Sequence, residues 1–529
     1  MRLKTLTCIL LGLSFVLSCG STKDGPEKKA EPENGTAAVE VEDREGFSVK
    51  GVVLAGGEPV VGAMVSDGVN VTQTDFDGKY WLRSTSGEDV VWLSVPSGYE
   101  VSVSNGWAPQ FWYRIDQKKL EAGEVQRFDF TLKPVSQDRF ALCVFTDTHI
   151  RGRKELGGVA TVDGIVDSLQ FRQIFLPKVQ AWSAQHAGMP RYALVLGDMI
   201  QDYAVTDYKT GLPEYKACLR GLDFPVFHIP GNHDYTKETF TQNTWEDDEA
   251  RGAKQYYIDN LGPTYYSFTI GKVHFVMLDG TRVEGGGALN SYKNLVSPRQ
   301  MAWLAKDLAH VPKDMHLVIA CHQPLYLWKG GTGSASGCVT NRADIIAAAA
   351  GFGEVTVLSG HTHYGDIANL AVKGVKVNQY THPAVCGPFW LAHINYDGSP
   401  NGYTSYEFSG TSFTRRQCTM DDSYDYKAIL YTDYTDADGT KQLVINVPAF
   451  EDSWTLKVLE NNVQVAQPVR TMMKDPGYDA IYTSNKFPSN TYTRESSHIW
   501  KYTPVNSSAL FKMVVTTSEG EEITLEGRI

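Results

Sequence analysis

Two side chains that can bind a metal, Asp147 and His149, follow an apolar run at residues 140–146. The run has the length and composition of a strand buried on both faces, and the Asp-Thr-His triplet comes just past its carboxyl end. Residues two apart in an extended chain point the same way, so this carboxylate and this imidazole could form half of a metal site. The alternative is an ordinary turn with a surface histidine, and the triplet alone does not separate the two.

Four further apolar runs end in the same kind of residue. The endings are Asp198 after 192–196, Asn232-His233-Asp234 after 225–229, His322 after 316–321, and His361 with His363 after 355–359. Glycine precedes three of these endings, where the backbone must turn sharply if side chains are to crowd a cation. Because helices between the strands bring the strand ends to one edge of the fold, we expect these oxygen and nitrogen ligands to converge.

The segments between these runs predict a domain of layered sheets and helices at residues 137–385. The clearest helix is expected at 298–309, where Ser297 can act as the N-cap and Gln300 can complete a capping box. Two runs at 265–270 and 273–278, separated by Gly-Lys, predict a β-hairpin. Hairpins together with strand–helix alternation favour a mixed arrangement over a purely parallel sheet.

Short alternating runs on both sides of this region predict two β domains. Residues 46–136 resemble the prealbumin-like β-sandwich of carboxypeptidase-regulatory modules, and residues 386–529 predict a C-terminal β-sandwich-like domain. Four residues of the first domain are expected to alternate inward: Val49, Val53, Ala63 and Val65. An aromatic cluster is either core or a docking face against the next domain, with docking favoured: Trp107, Phe111, Trp112 and Tyr113.

The first residues have the features of an export signal. Arg2 and Lys4 precede an apolar stretch at 6–17, and the sequence up to Cys19 resembles the lipobox of bacterial lipoproteins. That resemblance implies a signal peptide at 1–19, cleaved before an acylated Cys19, followed by a disordered tether at 20–45. The expected location is a bacterial membrane, the outer membrane in the first instance, on its periplasmic or surface face. The alternative is a simple secretory signal with a chance cysteine.

Composition limits the function further. At 529 residues the chain is too long for one core, and its formal net charge of -12 argues against a nucleic-acid backbone as the main partner. Six cysteines lie beyond the signal without C-x-x-C spacing, which disfavours a structural zinc site. In an exported protein Cys386 and Cys418 are the first pair to test for a disulfide.

The motifs D-x-H, G-D, G-N-H-D, H and G-H-T-H, in this order over about 138–385, resemble those of the calcineurin-like metallophosphoesterases. The flanking domains are similar to the N- and C-terminal modules of exported bacterial members of that family. The resemblance implies an α+β fold, a four-layer αββα metallophosphoesterase sandwich flanked by two β-sandwich-like domains.

The same resemblance implies a site for two divalent metal ions that share a hydroxide. The first ion would be held by Asp147, His149 and His363, the second by Asn232, His322 and His361, and both by Asp198. His233 would be the general acid, Asp234 would orient its ring, and Asn232, His233 and Arg151 would contact the substrate. Mixed oxygen and nitrogen ligands leave the metal open among Mn, Zn, Fe and Ni. Purple acid phosphatases have a tyrosine where this chain has Gln201.

The expected activity is therefore metal-dependent hydrolysis of a phosphate ester, either a monoester or a diester. The expected substrate is a phosphorylated small molecule, lipid or glycan, and no nucleic acid is expected. The alternative from another class is a catalytically inactive surface-binding lipoprotein that retains the fold. An exported nuclease is disfavoured by the acidic charge balance. His382 is the remaining histidine expected at the mouth of the site, with a buried position as the alternative.

Overall fold

The computed structural model describes residues 39–201, 211–236, 254–284, 292–329, 333, 335–420, 427–465, 467–485, 487–488, 491, 493–506 and 508–529. The expected signal peptide and most of the expected tether lie outside the described residues. Residues 41–529 form one compact unit. Within the described residues, no helix has the length and the apolar character needed to cross a bilayer.

The central domain is built on two sheets. Its strands are β1 (Arg139–Phe145), β2 (Arg191–Val195), β3 (Val226–His228), β4 (Tyr266–Ile270), β5 (Val273–Leu278), β6 (His316–Cys321), β7 (Glu354–Ser359), β8 (Asp366–Val372), β9 (Val375–Thr381), β10 (Gly402–Ser409) and β11 (Ser412–Thr419). One sheet has the order β3-β2-β1-β10-β11 and the other β4-β5-β6-β7-β9-β8. Strands β1, β2 and β3 are parallel, as are β5, β6, β7 and β9. The five predicted core strands and the predicted hairpin are therefore confirmed.

The two sheets pack face to face, with helices on the outside. Side chains of alternate residues of β1 lie on opposite faces of the sheet. The ring centroid of Phe140 lies 6.3 Å from that of Phe275 in the other sheet, whereas the ring centroid of Phe145 lies 5.2 Å from that of Phe175 in the outer helical segment. The helical segments are Asp167–Gln170, a π-helical turn at Phe171–Phe175, Leu176–Gln185, Leu212–Cys218, Gln255–Leu261, Pro298–Ala309 and Arg342–Ala348. This arrangement is the expected αββα sandwich.

The helix Pro298–Ala309 begins and ends where the sequence predicts. The Ser297 hydroxyl accepts a hydrogen bond from the Gln300 backbone N–H at 3.2 Å, as an N-cap should. The second half of the predicted capping box does not form. The Gln300 side chain instead bonds both the backbone N–H and the carbonyl of Asp279, each at 3.0 Å, because it is buried against the end of β5.

The boundary expected at 385 differs from the observed sheet. Strands β10 and β11 lie in the range assigned from the sequence to the C-terminal β domain, but β10 pairs antiparallel with β1, for example Cys143 with Ser405. This pairing satisfies the backbone groups on the free edge of β1 and extends the central domain to residue 419. Local alternation cannot distinguish such a returning hairpin from the strands of a following β domain.

The N-terminal domain has two main sheets and a two-stranded sheet, and part of its aromatic cluster docks on the central domain. The strands are Val49–Ala55, Glu58–Pro59, Met64–Ser66, Val71–Gln73, Lys79–Leu82, Val90–Ser94, Tyr99–Val101, Val103–Ser104, Ala108–Pro109, Trp112–Arg114, Gln126–Arg127 and Phe130–Pro134, with one helix at Gln117–Glu121. The four residues expected to face inward are buried. Trp107 lies 5.6 Å from the His228 ring and Phe111 lies 4.8 Å from Tyr266, so these two dock as predicted, whereas Tyr113 packs 5.2 Å from Phe130 within its own domain.

The C-terminal domain also has two main sheets. Its strands are Ile429–Thr435, Lys441–Asn446, Thr455–Glu460, Val463–Gln464, Val469–Arg470, Met473–Lys474, Glu495–Ser496, Ile499–Tyr502, Phe511–Thr516 and Glu522–Gly527, with a helix at Pro476–Ser484. All six cysteines of the described residues are free, so the Cys386–Cys418 disulfide is not present. Cys386 instead lies in the wall of the metal centre, 3.7 Å from Nδ1 of His363.

Candidate metal centre

Backbone hydrogen bonds hold the strand ends of the central domain together. Asp147 N–H donates to Gly197 O and His149 N–H donates to Asp198 O, each at 3.0 Å, which joins the loops after β1 and β2. Across the second sheet, Gly360 N–H donates to His322 O at 3.0 Å. The predicted convergence of the strand ends at one rim is therefore a property of the main chain before any side chain is considered.

Five of the seven expected metal ligands have left-handed backbone conformations. Their φ angles are 55° for Asp147, 43° for His149, 52° for Asp198, 71° for His361 and 56° for His363. Non-glycine residues rarely adopt positive φ, and residues that do so cluster at functional sites where the surrounding structure imposes the conformation. Five such residues at one rim point to side chains turned toward a common centre.

Two glycines let the loops approach this closely. A Cβ on Gly231 would lie 2.1 Å from Oδ1 of Asp198, and a Cβ on Gly360 would lie 2.1 Å from the Thr146 hydroxyl. Neither distance is compatible with a side chain. The glycines that the sequence places before Asn232 and His361 are thus required by close approach of neighbouring loops to these positions.

The first expected donor set converges on one point. Nε2 of His149 and Nε2 of His363 lie 3.0 Å apart, and Oδ1 of Asp147 lies 3.4 Å from the latter atom. The outer nitrogens of both rings are already engaged, since Nδ1 of His363 donates to Gly387 O at 2.7 Å and Nδ1 of His149 lies 3.1 Å from Oε1 of Gln201. Oδ1 of Asp147 is buried without a hydrogen-bond partner. The free lone pairs therefore face inward.

The second expected donor set has the same character. Nε2 of His322 lies 3.2 Å from Nδ1 of His361, and the other His322 nitrogen donates to Leu196 O at 2.6 Å. Oδ1 of Asn232 is buried and also lacks a hydrogen-bond partner. Two imidazole nitrogens facing each other can share at most one proton, and a cation bound to both would take the place of that proton.

Asp198 lies between the two sets. Its Oδ2 is 3.6 Å from Nε2 of His149 in the first set and 3.0 Å from Nε2 of His322 in the second. Its Oδ1 accepts the backbone N–H of His233 at 2.8 Å, which fixes the plane of the carboxylate. A single carboxylate oxygen within reach of donors from both sets is the geometry of a bridging ligand.

These spacings fit cations. Two donor atoms bound to one ion at about 2.1 Å and about 90–110° lie about 3.0–3.4 Å apart. The contacts of His363 with His149 and Asp147, at 3.0 and 3.4 Å, and that of His322 with His361, at 3.2 Å, lie in this range, and the 3.7 Å between Nε2 of His149 and Oδ1 of Asp147 is slightly longer. The orphaned oxygens of Asp147 and Asn232 are buried polar atoms that the protein alone leaves unsatisfied. Oxygen and nitrogen donors in this proportion suit borderline divalent metals.

Burial keeps two of the imidazoles neutral. It lowers the pKa of His149 to about 4 and that of His361 to about 3. At pH 7 both rings therefore have a free lone pair and no positive charge to repel a cation.

Asp198 and His322 are instead held in their charged forms by each other. Burial favours the neutral form of Asp198, but the adjacent His322 and His233 outweigh it and hold the Asp198 pKa well below its usual range. Burial likewise opposes the charged form of His322, but Asp198 outweighs it and raises the His322 pKa to about 9. Without a cation, His322 holds a proton that metal binding must displace.

His233 lies beside the centre and contacts Gln201. The His233 ring is 5.0 Å from the His149 ring, and its Nδ1 lies 3.1 Å from Nε2 of Gln201. The Asp234 carboxylate accepts the backbone N–H groups of Met199, Ile200 and Gly231 at 2.7–3.2 Å. These bonds fasten the loops after β2 and β3 to each other, and the orienting role expected for Asp234 stays a prediction.

Arg153, on the same loop as Arg151, lies against the metal centre. Its guanidinium lies 3.4 Å from His149 O and 5.2 Å from the ring of Phe389, which itself packs 5.0 Å from the His149 ring. Arg151 donates its backbone N–H to Asp167 Oδ2 at 3.1 Å, and its contact with substrate stays a prediction. No local pattern distinguishes these two arginines, because both follow the first motif on one loop.

His382 is buried and does not line the site mouth. Its Nδ1 donates to Ser359 O and its Nε2 lies within hydrogen-bond distance of the Tyr406 hydroxyl, both at 2.9 Å. The residue is only 3% exposed. Its position between β7 and β10 shows that it belongs to the core, and the strand pairing that buries it is absent from local sequence.

An αββα sandwich with converging side chains at its rim that could hold metal ions is typical of a metal-dependent protein. A family model described as calcineurin-like phosphoesterase matches residues 140–365, and models of the N-terminal and C-terminal domains of calcineurin-like phosphoesterases match residues 47–135 and 379–522. This chain belongs to the calcineurin-like phosphoesterase family, whose members are metal-dependent phosphoester hydrolases.

Individual relatives are more distant. Purple acid phosphatase 15 of Arabidopsis thaliana is 29% identical over 170 residues, which are 32% of this chain and 28% of the plant protein. The chain thus matches little more than a quarter of that relative's length. Among solved structures, a dimetal phosphatase from Danio rerio has 14% identity over 53% of this chain and 96% of its own (TM-score 0.36), and the phosphopantetheinyl hydrolase of Mycobacterium tuberculosis has 15% identity over 55% and 100% (TM-score 0.26).

Proposed function

We propose that this chain is an exported, lipid-anchored hydrolase of phosphate esters that uses two divalent cations. The observation that carries the proposal is the position of Asp198 Oδ2, within 3.6 Å of a donor of one set and 3.0 Å of a donor of the other. In the proposed assignment Asp147, His149 and His363 hold one ion and Asn232, His322 and His361 hold the other. Such ions supply Lewis-acid stabilisation of phosphoryl charge and lower the pKa of water.

The side chains around the ions have separate tasks. Asn232 and His233 would face the substrate phosphoryl group, and His233 would protonate the leaving oxygen. Gln201 supports that role, because its Oε1 must accept the proton on Nδ1 of His149 if Nε2 of that ring is to bind a metal. Its Nε2 then donates to Nδ1 of His233 at 3.1 Å. The neutral His233 ring therefore carries its proton on Nε2, the atom available to a leaving group.

The test is Asp198→Asn. Replacing the Asp198 carboxylate by an amide should lower the content of bound Mn, Zn, Fe or Ni from two ions per chain to one or fewer. It should also abolish hydrolysis of p-nitrophenyl phosphate. Asp223→Asn is the matched control, since that carboxylate is 67% exposed and pairs with Arg191 on the surface. Parent-level metal content and turnover in Asp198→Asn would contradict the dinuclear assignment.

A panel of phosphate monoesters and diesters separates the hydrolase from the alternative, a binding lipoprotein without turnover. Failure of the metal-loaded parent protein to hydrolyse any ester of the panel would favour that alternative. The proposed anchor rests on Arg2, Lys4, the apolar residues 6–17 and Cys19. Cys19→Ser should abolish incorporation of labelled fatty acid and release the protein from the membrane fraction, while Cys8→Ser should not.

A further inference from the structure

A cavity of about 430 Å³ opens beside the second donor set, between the central and C-terminal domains. His361 belongs to both the metal centre and the cavity lining, so a ligand held at the metal centre can extend into this space. The volume is within the range of small-molecule sites. The cavity is therefore placed to receive the organic part of a phosphate ester.

The C-terminal domain holds its side of the cavity through buried polar contacts. Ser497 donates its hydroxyl to Asp366, and His498 Nε2 lies 2.9 Å from Asp397 Oδ2. The same Asp397 oxygen accepts the backbone N–H of Gly365 at 2.7 Å, two residues past the last metal ligand. Because these groups are buried and partnered, the cavity wall and the metal loop are parts of one rigid arrangement.

One side of the cavity is apolar and partly aromatic. Trp328 and Tyr364 contribute it from the central domain, and Met472 contributes it from the C-terminal domain. The Arg470 guanidinium covers the Trp328 ring at 4.3 Å, and Met472 remains 38% exposed, which is unusual for a methionine. An apolar group entering the cavity would bury this surface.

The cavity lining also contains two cations and two carboxylates. The cations are Lys329 and Arg494, and the carboxylates are the exposed Glu495 and the buried Asp366, which already accepts hydrogen bonds from the Ser497 hydroxyl and the Trp328 backbone N–H. Cations beside an apolar wall favour a ligand with both an apolar and an anionic part.

We infer that this cavity selects phosphate esters whose organic group is apolar or aromatic and carries a second anionic substituent. Trp328, Tyr364 and Met472 contact the apolar part, and Lys329 and Arg494 contact the anion. This inference rests on the proposed function, and it adds a substrate class and a specificity role for the C-terminal domain.

The test compares phenyl phosphate with 4-carboxyphenyl phosphate, and their non-hydrolysable phosphonates by calorimetry. Arg494→Gln should raise KM and Kd about fivefold for the carboxylated ligands and leave the phenyl ligands within twofold, as expected for one partly exposed charge pair. Met472→Ala should weaken both aryl phosphonates about threefold but not methylphosphonate. Arg528→Gln is the control, an arginine of the same domain that bonds Ser508 O.

Equal affinities of both phosphonates for the parent and Arg494→Gln proteins would overturn the inference and leave the proposed function standing. Failure of the metal-loaded parent protein to hydrolyse any ester of the monoester and diester panel would overturn both, whereas failure with these two aryl esters alone would overturn only the inference. Weaker binding of both phenyl and carboxylated phosphonates to Arg494→Gln would also overturn the inference, because it would show a general effect on the cavity.

Discussion

Gln201→Met tests whether the Gln201 amide sets the tautomer and orientation of His233. Methionine has nearly the shape of glutamine but cannot make its two contacts, to His149 and to His233, each at 3.1 Å. A buried neutral hydrogen bond contributes about 1 kcal/mol, so loss of the contact to His233 is about fivefold in a rate, whereas loss of the contact to His149 acts on metal affinity. The loss of the contact to His233 should affect only esters that need a proton at the leaving oxygen.

The assay is kcat/KM at saturating metal for methyl phosphate and for p-nitrophenyl phosphate. The methyl ester should lose about fivefold, because methoxide is a poor leaving group, and the nitrophenyl ester should stay within about twofold. Saturating metal is needed because removing the partner of His149 should also weaken metal binding by about tenfold or more. Equal losses for the two esters would refute the reasoning.

Gln201→Glu separates the two contacts. A carboxylate still accepts the Nδ1 proton of His149, so metal affinity should be kept, but it cannot donate to Nδ1 of His233. The proton of the neutral His233 ring should move to Nδ1, which is visible in the ¹⁵N spectrum of histidine-labelled protein. An unchanged spectrum in Gln201→Glu would show that something other than Gln201 sets the tautomer.

Three further substitutions probe other parts of the domain. His233→Ala should slow methyl phosphate hydrolysis about a hundredfold and p-nitrophenyl phosphate hydrolysis far less, measured as kcat/KM; equal losses would remove the acid role. Asp234→Asn should slow both esters equally and lower the urea midpoint of unfolding. The NH₂ group of the new amide would face a backbone N–H that the carboxylate now accepts, which costs about 1–3 kcal/mol. A selective loss for the methyl ester would instead support the orienting role expected for Asp234. Burial lowers the pKa of His228 to about 3 and that of His382 to about 4. Their folded-state pKa values lie below the unfolded value, so stability is complete above about pH 6.5 and falls by about 1.4 kcal/mol per pH unit for each histidine as pH drops toward 4. His382→Gln should reduce that slope in urea unfolding of the metal-free protein, and an unchanged slope would contradict it.

The sequence predicted the central fold well because its signals are local. The strand ending at Phe145 and the helix capped by Ser297 each follow from a continuous apolar pattern with a clear terminus. The pairing of strand β10 with β1 could not be predicted, because it joins residues more than two hundred and fifty positions apart. Nothing within Gly402–Ser409 distinguishes an added edge strand from the first strand of another domain.

The candidate site likewise contains residues that the sequence predicts and contacts that it does not predict. Asp198 and His322 could be named from the sequence, because each follows a strand and belongs to a motif of the family. The partner of the His233 ring could not be named from the sequence, because Gln201 and Asp234 are both polar and both lie near His233 in sequence or in space. Three backbone N–H groups donate to the Asp234 carboxylate, and these bonds are visible only in the three-dimensional structure. Arg153 rather than Arg151 reaches His149 for the same kind of reason.

The left-handed residues at the rim connect these observations. A non-glycine residue at positive φ costs roughly 1 kcal/mol or more, so the five strained ligands store about 5 kcal/mol that the fold must offset. Two groups of hydrogen bonds stabilise this conformation. Backbone hydrogen bonds join the loops after β1 and β2, and the Asp234 carboxylate bonds backbone N–H groups of the loops after β2 and β3. A cation entering the centre then meets donors already turned inward, and it does not have to reorganise the chain to bind. Asp234 therefore matters to catalysis by keeping the rim in its strained shape, which is why its substitution should slow good and poor leaving groups alike.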